Sequence, residues 1–251
     1  MPDSLEGSLI RLIEARTAAA ARATRYRRPL VAFVSADHPD FARLPAWVDP
    51  EHLLPADILP GARSVISFFL PFDPSVVVAN VKANGAAREW AVAYVETNGL
   101  IADLCAALTD YLVQAGHRAC WELPTHHFDP VRLVSRWSHK SVGVVAGLGS
   151  FGLHHMVITD AGCAGRFGSL VTTVRLEPTA RQVRERCRYF AEGRCAVCVG
   201  RCPVGALTVS GLDKTRCYER CLEVDRTFAE LPLTDVCGKC ATGPCALQSA
   251  V

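Results

Sequence analysis

Cysteine is concentrated at one end of this 251-residue chain. Nine of its 12 cysteines lie in the last 65 residues, and the other three (Cys105, Cys120 and Cys163) are scattered through the first 186. Residues 5–23 are interrupted by charged side chains and lack the continuous apolar run of an export signal. We therefore expect a cytoplasmic, reducing environment, in which clustered thiols bind metal rather than form disulfides.

The overall charge points to no particular macromolecular partner. A net charge of +2 is too small to predict binding to nucleic acid or to a membrane surface. The sequence has no run of about 18 uncharged apolar residues, so we expect no membrane-spanning helix and no membrane partner.

The first set of clustered cysteines follows a spacing known from iron–sulfur proteins. Cys195, Cys198 and Cys202 form C-x₂-C-x₃-C followed by proline. This matches the last three cysteines of the bacterial ferredoxin run C-x₂-C-x₂-C-x₃-C-P, whose fourth cysteine ligates the other cluster. Strict spacing places the first ligand at Glu192. A carboxylate is a harder ligand than these clusters usually take, so Cys187 is the predicted substitute.

A second set of cysteines completes two groups of four. Exchanging the last cysteine of each set predicts two [4Fe–4S] clusters, one ligated by Cys187, Cys195, Cys198 and Cys245 and the other by Cys202, Cys217, Cys237 and Cys240. Cys221 is then left over, either as a free thiol or as an alternative ligand. A zinc ribbon built from the two C-x₂-C pairs, or a set of disulfides, is the alternative. The zinc ribbon uses only four of the nine cysteines.

Apolar runs and helical periodicity alternate over the first part of the chain. The patterns predict helices over 5–24, 86–115 and 138–148, and strands over 29–36, 64–72, 117–122, 155–162 and 169–176. Asn98–Gly99 is expected to break or kink the long helix, which Gly116 caps. The alternation predicts an α/β (α+β) layered core over 1–180. A small domain of the bacterial ferredoxin type follows over 181–251.

Three segments carry a family resemblance. RWSHKSVGVVAGLGSFGLHHMVIT (136–159), RCPVGAL (201–207) and LDKTRC (212–217) resemble the epoxyqueuosine reductase family. The resemblance covers residues 120–250 and extends further upstream only in the order of elements. Members of this family share a cobalamin-binding core, related to reductive dehalogenases, followed by a two-cluster ferredoxin domain. The resemblance therefore implies an iron–sulfur oxidoreductase whose cofactors are two [4Fe–4S] clusters and cobalamin.

The chain departs from the family pattern in ways that bear on its substrate. Family members typically continue the AGLG segment with Trp-Ile-Gly-Lys-Asn, where this chain has Ser150 to His154. Because the sequence ends at Val251, it resembles a short form without the C-terminal helical-repeat extension that is associated with tRNA. We therefore expect a small-molecule or nucleoside-like substrate, and tRNA is a doubtful one.

The resemblance also suggests catalytic and cofactor-binding residues. Asp129 is the nearest match to the family's proton donor, although an aspartate before proline is often only a turn residue. The neighbouring histidines, His126 and His127, are expected to be loop residues. His139, Lys140 and Ser141 would contact the amide and phosphate edges of cobalamin; the alternative is a solvated first turn of a helix.

The segment GLGSFG fits G-x-G-x-x-G with Gly147, Gly149 and Gly152. A dinucleotide site requires a strand before this motif and a helix after it, whereas the reverse order is predicted here. The glycines are instead expected to let the backbone approach a bulky cofactor, and a purely structural turn is an equal alternative.

These expectations define a path for electrons. An external donor such as ferredoxin or flavodoxin would reduce the outer cluster, and the electrons would pass through the inner cluster to cobalt. The excess of arginine over 181–220 would either dock an acidic donor or offset the charge of the thiolate-ligated clusters. The alternative function is an electron carrier, or a reductase that reactivates another corrinoid protein, with no substrate chemistry of its own.

Overall fold

A computed structural model describes residues 4–123, 128–181 and 184–251. Its helices are α1 (Leu5–Ala18), α2 (Leu44–Trp47), α3 (Pro55–Ile58), α4 (Pro74–Lys82), α5 (Arg88–Gln114), α6 (His139–Val145), α7 (Arg188–Glu192), α8 (Val197–Gly200) and α9 (Lys214–Thr227). Its strands are β1 (Leu30–Ser35), β2 (Ser64–Pro71), β3 (Ala119–Cys120), β4 (Phe128–Asp129), β5 (Val134–Ser135), β6 (Gly149–Phe151), β7 (Val157–Thr159), β8 (Gly165–Thr172), β9 (Leu207–Thr208) and β10 (Gly211–Leu212).

A four-stranded sheet organises the core. Its strand order is β1-β2-β8-β3, and every neighbouring pair is antiparallel. All eight residues of β2 are buried, because helices cover both faces of the sheet. The predicted mixture of helices and sheet is confirmed. The antiparallel pairing makes it an α+β core, since alternating elements in the sequence do not by themselves require parallel strands.

The long helix α5 packs on one face of the sheet together with α1. Leu104 and Leu108 of α5 meet Ile13 of α1 in one buried apolar cluster, in which Cys105 also packs. By length and composition α5 is able to span a membrane, but 56% of its most apolar 18-residue window is buried inside the fold. This burial is what a central core helix requires.

The predicted break in α5 at Asn98–Gly99 is wrong. The helix continues through both residues, and Gly99 lies against the guanidinium of Arg22. A glycine inside a helix costs only about 1 kcal/mol, which the burial of a 27-residue helix outweighs. The predicted cap is confirmed: Gly116 has a φ of 82°, and its N–H donates to the carbonyl of Val113.

Strand β8 begins four residues before the predicted strand at 169–176 and ends at Thr172. The sequence pattern assigned its first glycines to a loop. In the structure Gly165 and Gly168 lie in the strand. Both positions require glycine, because a side chain at Gly165 would collide with Phe69 of β2 and one at Gly168 would collide with Phe68. Glycine in a strand here marks a close approach of aromatic rings.

The cysteine-rich segment packs directly on the end of the core. Cys187, Cys198 and Ala241 belong to the same apolar cluster as Phe72 and Trp90. Gly238, with a φ of 68°, lies so close to the Trp90 ring that any side chain there would collide with it. The division of the chain at residue 180 stays a prediction, and the two parts share this cluster.

Candidate metal centre and cofactor site

The four thiols predicted to hold one cluster lie around one cavity. Cys187, Cys195, Cys198 and Cys245 all line a partly open space of about 340 Å³. Glu192, the alternative first ligand, ends α7 and pairs instead with the exposed Arg194 at 3.3 Å. The structure thus brings Cys187, and not Glu192, to the other three cysteines.

Local hydrogen bonds fix the backbone at Cys187, the N-cap residue of α7. The carboxylate of Glu185 accepts from the N–H groups of Arg186 at 2.8 Å and of Cys187 at 2.6 Å. The side chain of Arg186 is buried and pairs with Asp160 at 3.1 Å. These contacts fix the segment just before it reaches the cavity. Cys187 can therefore serve as a ligand, although it lies five residues before Glu192, the position that strict spacing gives.

Electrostatic effects among the thiols show which of them are neighbours. Burial, together with charge on Cys245 and Cys187, raises the pKa of Cys198 to about 11. Burial likewise raises the pKa of Cys240 to about 12, with contributions from a set of nearby thiolates: Cys217, Cys237, Cys198 and Cys202. Three of these belong to the second predicted group, and Cys198 belongs to the first. The two groups therefore adjoin.

Cys221 also reaches the second group. It lies one helical turn after Cys217 in α9, and its thiol shares a hydrogen bond with the Cys217 thiol. That hydrogen bond lowers the pKa of Cys217 to about 7, although burial opposes the change. The sequence could have indicated this contact, because residues four apart in a helix, such as Cys217 and Cys221, lie on the same face.

Two further residues reach the first group. His154 Nε2 is 3.3 Å from Cys245 Sγ, and Cys163 Sγ is 4.0 Å from the same sulfur. One ligand atom of each of these three residues lies within 4.8 Å of the others, and His154 and Cys163 are buried. Sequence reasoning did not include them. His154 lies in the segment 136–159 that carries the family resemblance, and this was the one signal for it in the sequence. The spacing of the cysteines gave no signal for Cys163.

Asp129 lies at the start of a tight hairpin formed by β4 and β5. Its carboxylate accepts from the backbone N–H groups of Val131 at 2.8 Å and of Arg132 at 3.0 Å. The hydrogen bonds from Arg132 and Val131 lower the pKa of Asp129, so the carboxyl is ionised in this position. His126 and His127 lie outside the described residues. The catalytic role of Asp129 stays a prediction.

The start of α6 contains the predicted His139, Lys140 and Ser141. Ser138 caps the helix, since its Oγ accepts from the N–H of Ser141 at 3.2 Å. His139 Nδ1 is 2.7 Å from Ser169 Oγ, to which Trp137 Nε1 also donates at 2.9 Å. The hydroxyls of Ser138 and Ser141 also lie 2.9 Å apart, whereas the imidazole of His139 lies against the sheet.

Lys140, in the first turn of α6, lies near the second thiol group. Its Nζ donates to the carbonyl of His155 at 3.2 Å. Burial and the nearby Arg166 lower its pKa, while charge on Cys240 and Cys217 opposes this. Arg166 lies over the ring of Tyr94 at 4.2 Å, and its Nε is buried without a partner among residues 4–123, 128–181 and 184–251. Neighbouring cations of this kind can hold an anionic or strongly polar group.

The three predicted glycines meet atoms of their own chain. A side chain at Gly147 would touch Arg181, one at Gly149 would collide with the carbonyl of Ile158, and one at Gly152 would touch Ile158 and His154. The motif lies in the helix–turn–strand order that was predicted, with α6 before it and β6 within it. Packing within the chain is enough to require glycine here, so contact with a cofactor through these residues stays a prediction.

The fold of the described residues is similar to that of several solved structures. In solved structures the same fold occurs in epoxyqueuosine reductases and in a catabolic reductive dehalogenase, the latter with a TM-score of 0.56 at 13% identity over 95% of this chain and 32% of the other. The resemblance expected from the sequence is confirmed. No protein-family model matches the chain.

The individual relatives are distant in sequence. The epoxyqueuosine reductase of Bacillus cereus is 26% identical over 65% of this chain and 41% of its own length, and that of Escherichia coli is 25% identical over 70% and 48%. An epoxyqueuosine reductase solved with an epoxyqueuosine-modified tRNA-Tyr stem loop has a TM-score of 0.62 at 16% identity, over 96% of this chain and 65% of the other. The Bacillus subtilis enzyme, solved with its catalytic aspartate loop swung out of the active site, has a TM-score of 0.60 at 17% identity, over 97% and 66%. The chain thus spans less than half the length of the Bacillus cereus and Escherichia coli relatives.

Proposed function

We propose that this protein is a cytoplasmic iron–sulfur reductase of the epoxyqueuosine reductase type, with two [4Fe–4S] clusters and a cobalamin. The observation that carries this proposal is the convergence of Cys187, Cys195, Cys198 and Cys245 on one cavity beside a second thiol group. When bound, these cofactors supply the electrons and the reducing centre.

The donor set fits two clusters better than it fits zinc. Thiolates are the usual ligands of [4Fe–4S] clusters, and eight cysteines in two adjoining groups match two sets of four. A zinc ribbon would require Cys195, Cys198, Cys237 and Cys240 to surround one ion. Cys198 instead lines the cavity with Cys187 and Cys245, which a single zinc site would leave unused.

Polar groups beside the second thiol group suit the edge of a cobalamin. Lys140 and Arg166 would bind its phosphate or amide oxygens. The two cationic groups lie close enough to repel one another, and a bound phosphate would offset this repulsion. His139 is held in place by Ser169 and stays neutral near pH 7, since burial lowers its pKa to about 4. A neutral imidazole adds no further positive charge to this pair.

Asp129 would supply the proton to the reduced substrate. In the hairpin described here two backbone N–H groups keep its carboxyl ionised. Movement of the loop away from these donors would remove this lowering of the pKa, and burial of the carboxyl beside the substrate would raise the pKa further and allow it to carry a proton. The mobile catalytic aspartate loop of the Bacillus subtilis relative supports this assignment.

The substrate and the electron donor are proposed at the level of chemical class. We propose a small-molecule or nucleoside-like substrate, with tRNA as a doubtful one, although one relative was solved with a tRNA stem loop. The donor would be an acidic carrier such as ferredoxin or flavodoxin. The exposed Arg188, at the cavity of the first thiol group, favours such a partner.

The test is cobalamin binding to anaerobically prepared, cluster-replete protein. We expect calorimetry to show one site, and Asp129→Asn to bind cobalamin like the wild type. Turnover of an epoxyqueuosine nucleoside or tRNA stem loop should fall about 100-fold in Asp129→Asn, as expected on losing a positioned acid. Absence of cobalamin binding would exclude the proposed reductase, and the electron-carrier function would replace it. Cobalamin reduction without turnover of any substrate would favour a corrinoid-reactivating reductase.

A further inference from the structure

We propose that His154 donates an N–H···S hydrogen bond to Cys245 and thereby raises the reduction potential of the cluster that this cysteine holds. The proposal rests on the proposed function, because it requires Cys245 to be a cluster ligand. It assigns to His154 the role of a positioning residue that acts through a ligand.

The protonation state of the imidazole follows from its hydrogen bonds. His154 is 4% exposed, and its Nδ1 accepts from the backbone N–H of Met156 at 3.1 Å. A neutral imidazole that accepts at Nδ1 carries its proton on Nε2. Nε2 lies 3.3 Å from Cys245 Sγ, so the N–H points at the sulfur.

The turn between β6 and β7 holds the ring in this direction. The N–H of Gly152 donates to the carbonyl of Met156, and the N–H of His155 donates to the carbonyl of Gly152, both at 2.9 Å. A side chain at Gly152 would contact the His154 imidazole at 2.9 Å. The last glycine of the motif therefore makes room for this histidine, which explains it without reference to a cofactor.

The sulfur that receives the hydrogen bond is also fixed. The N–H groups of Cys163 and Ala164 donate to the carbonyls of Cys245 and Ala246, both at 2.9 Å. A side chain at Gly162 would collide with the carbonyl of Ala246. The segment of Cys245 is thus held to Cys163 and Ala164, and Gly162 just before them pairs with Thr159 at the end of β7, the strand that follows the turn of His154.

A hydrogen bond to a ligating sulfur changes the energy of the cluster's two redox states unequally. Reduction adds negative charge, part of which lies on the thiolate sulfurs, and a donor stabilises the more negative state. Hydrogen bonds to sulfur are among the factors that set the reduction potentials of iron–sulfur clusters. The cluster held by Cys245 should therefore be easier to reduce with His154 present.

The experiment is an anaerobic redox titration followed by electron paramagnetic resonance, with iron analysis of each sample. In His154→Leu we expect full iron content and about a tenfold less favourable one-electron reduction, which lowers the potential by about 59 mV. His154→Gln, whose amide N–H can reach the same sulfur, should recover most of the shift. His155→Asn is the matched control: His155 is exposed with a φ of 57°, which asparagine tolerates, and the potential should not change.

Three outcomes of this experiment would overturn the proposal, and each can be told apart from the others. An unchanged potential in His154→Leu at full iron content removes the hydrogen-bond role and leaves the proposed function intact. Loss of about four irons would mean that His154 is itself a ligand. Wild-type protein that takes up no clusters rejects both proposals together. If His154→Leu does not fold, wild-type protein labelled with ¹⁵N-histidine decides by pulsed resonance: weak nitrogen coupling supports the hydrogen bond, and the strong coupling of an iron–nitrogen bond contradicts it.

Discussion

The amide of Cys163 donates a 2.9 Å hydrogen bond to the carbonyl of Cys245, although 82 residues separate them in the chain. This contact attaches the last predicted cluster ligand to the segment just before β8. Arg27 adds to it, because its guanidinium donates to the carbonyls of Leu247 at 2.8 Å and of Ala161 at 2.6 Å. The geometry of the thiol site thus depends on residues near the N-terminus.

Arg27→Ala should destabilise the protein by about 3 kcal/mol. Arg27 Nε donates also to the carbonyl of Phe72 at 2.9 Å, so the substitution leaves three carbonyls without their charged donor. Arg28→Ala is the control, since Arg28 is 81% exposed and pairs only at the surface with Glu14. Anaerobic urea unfolding followed by circular dichroism measures both. Equal stabilities of the two variants, within about 0.5 kcal/mol, would show that Arg27 does not anchor these segments.

Asn80→Ala should both destabilise the fold and weaken iron retention in the second thiol group. Asn80 is fully buried; its Oδ1 accepts from the N–H of Ala87 at 2.9 Å, and its Nδ2 donates to the carbonyl of Cys237 at 3.2 Å. Removing the amide takes the hydrogen-bond partner from the buried N–H of Ala87 and from the partly buried carbonyl of Cys237, at a cost of about 2–4 kcal/mol.

The exposed Asn84, which follows α4, provides the control for this prediction. Asn84→Ala should stay within about 0.5 kcal/mol of the wild type. The measurements are urea unfolding and the rate of iron loss to a chelator. The interpretation fails if Asn80→Ala and Asn84→Ala lose iron at the same rate.

Stability should decrease as the pH falls from about 6.5 toward 4, in part through His139. Burial and the charge of Arg166 lower its pKa from 6.5 to about 4 in the folded state. Across this window the unfolded chain therefore binds a proton that the folded protein does not, which weakens folding by up to about 3 kcal/mol.

His139→Gln removes this titration. Between pH 7 and pH 5 the variant should lose less unfolding free energy than the wild type, as measured by urea unfolding at each pH. Asn84→Ala, which changes no titratable group, should retain the wild-type slope. Parallel pH profiles for the wild type and His139→Gln would contradict the assignment of this slope to His139.

Sequence patterns predicted those features of the fold and of the thiol site that depend on residues close together in the chain. The strands β1 and β2, the cap at Gly116 and the two sets of cysteines follow from periodicity and ligand spacing. The positions of His154 and Cys163 beside Cys245 depend instead on contacts between residues that are 91 and 82 positions apart in the chain, which spacing does not encode. In the same way, the start of β8 depends on aromatic rings of a neighbouring strand.

The iron content of cluster-reconstituted wild type, Cys187→Ala and Glu192→Gln tests the central claim most directly. We predict about eight irons for the wild type, about four for Cys187→Ala and about eight for Glu192→Gln, because Cys187, and not Glu192, lies at the cavity with Cys195, Cys198 and Cys245. Electron paramagnetic resonance should show the signal of one remaining cluster in Cys187→Ala. Stoichiometric zinc with little iron in the wild type, or full iron in Cys187→Ala, would contradict the account.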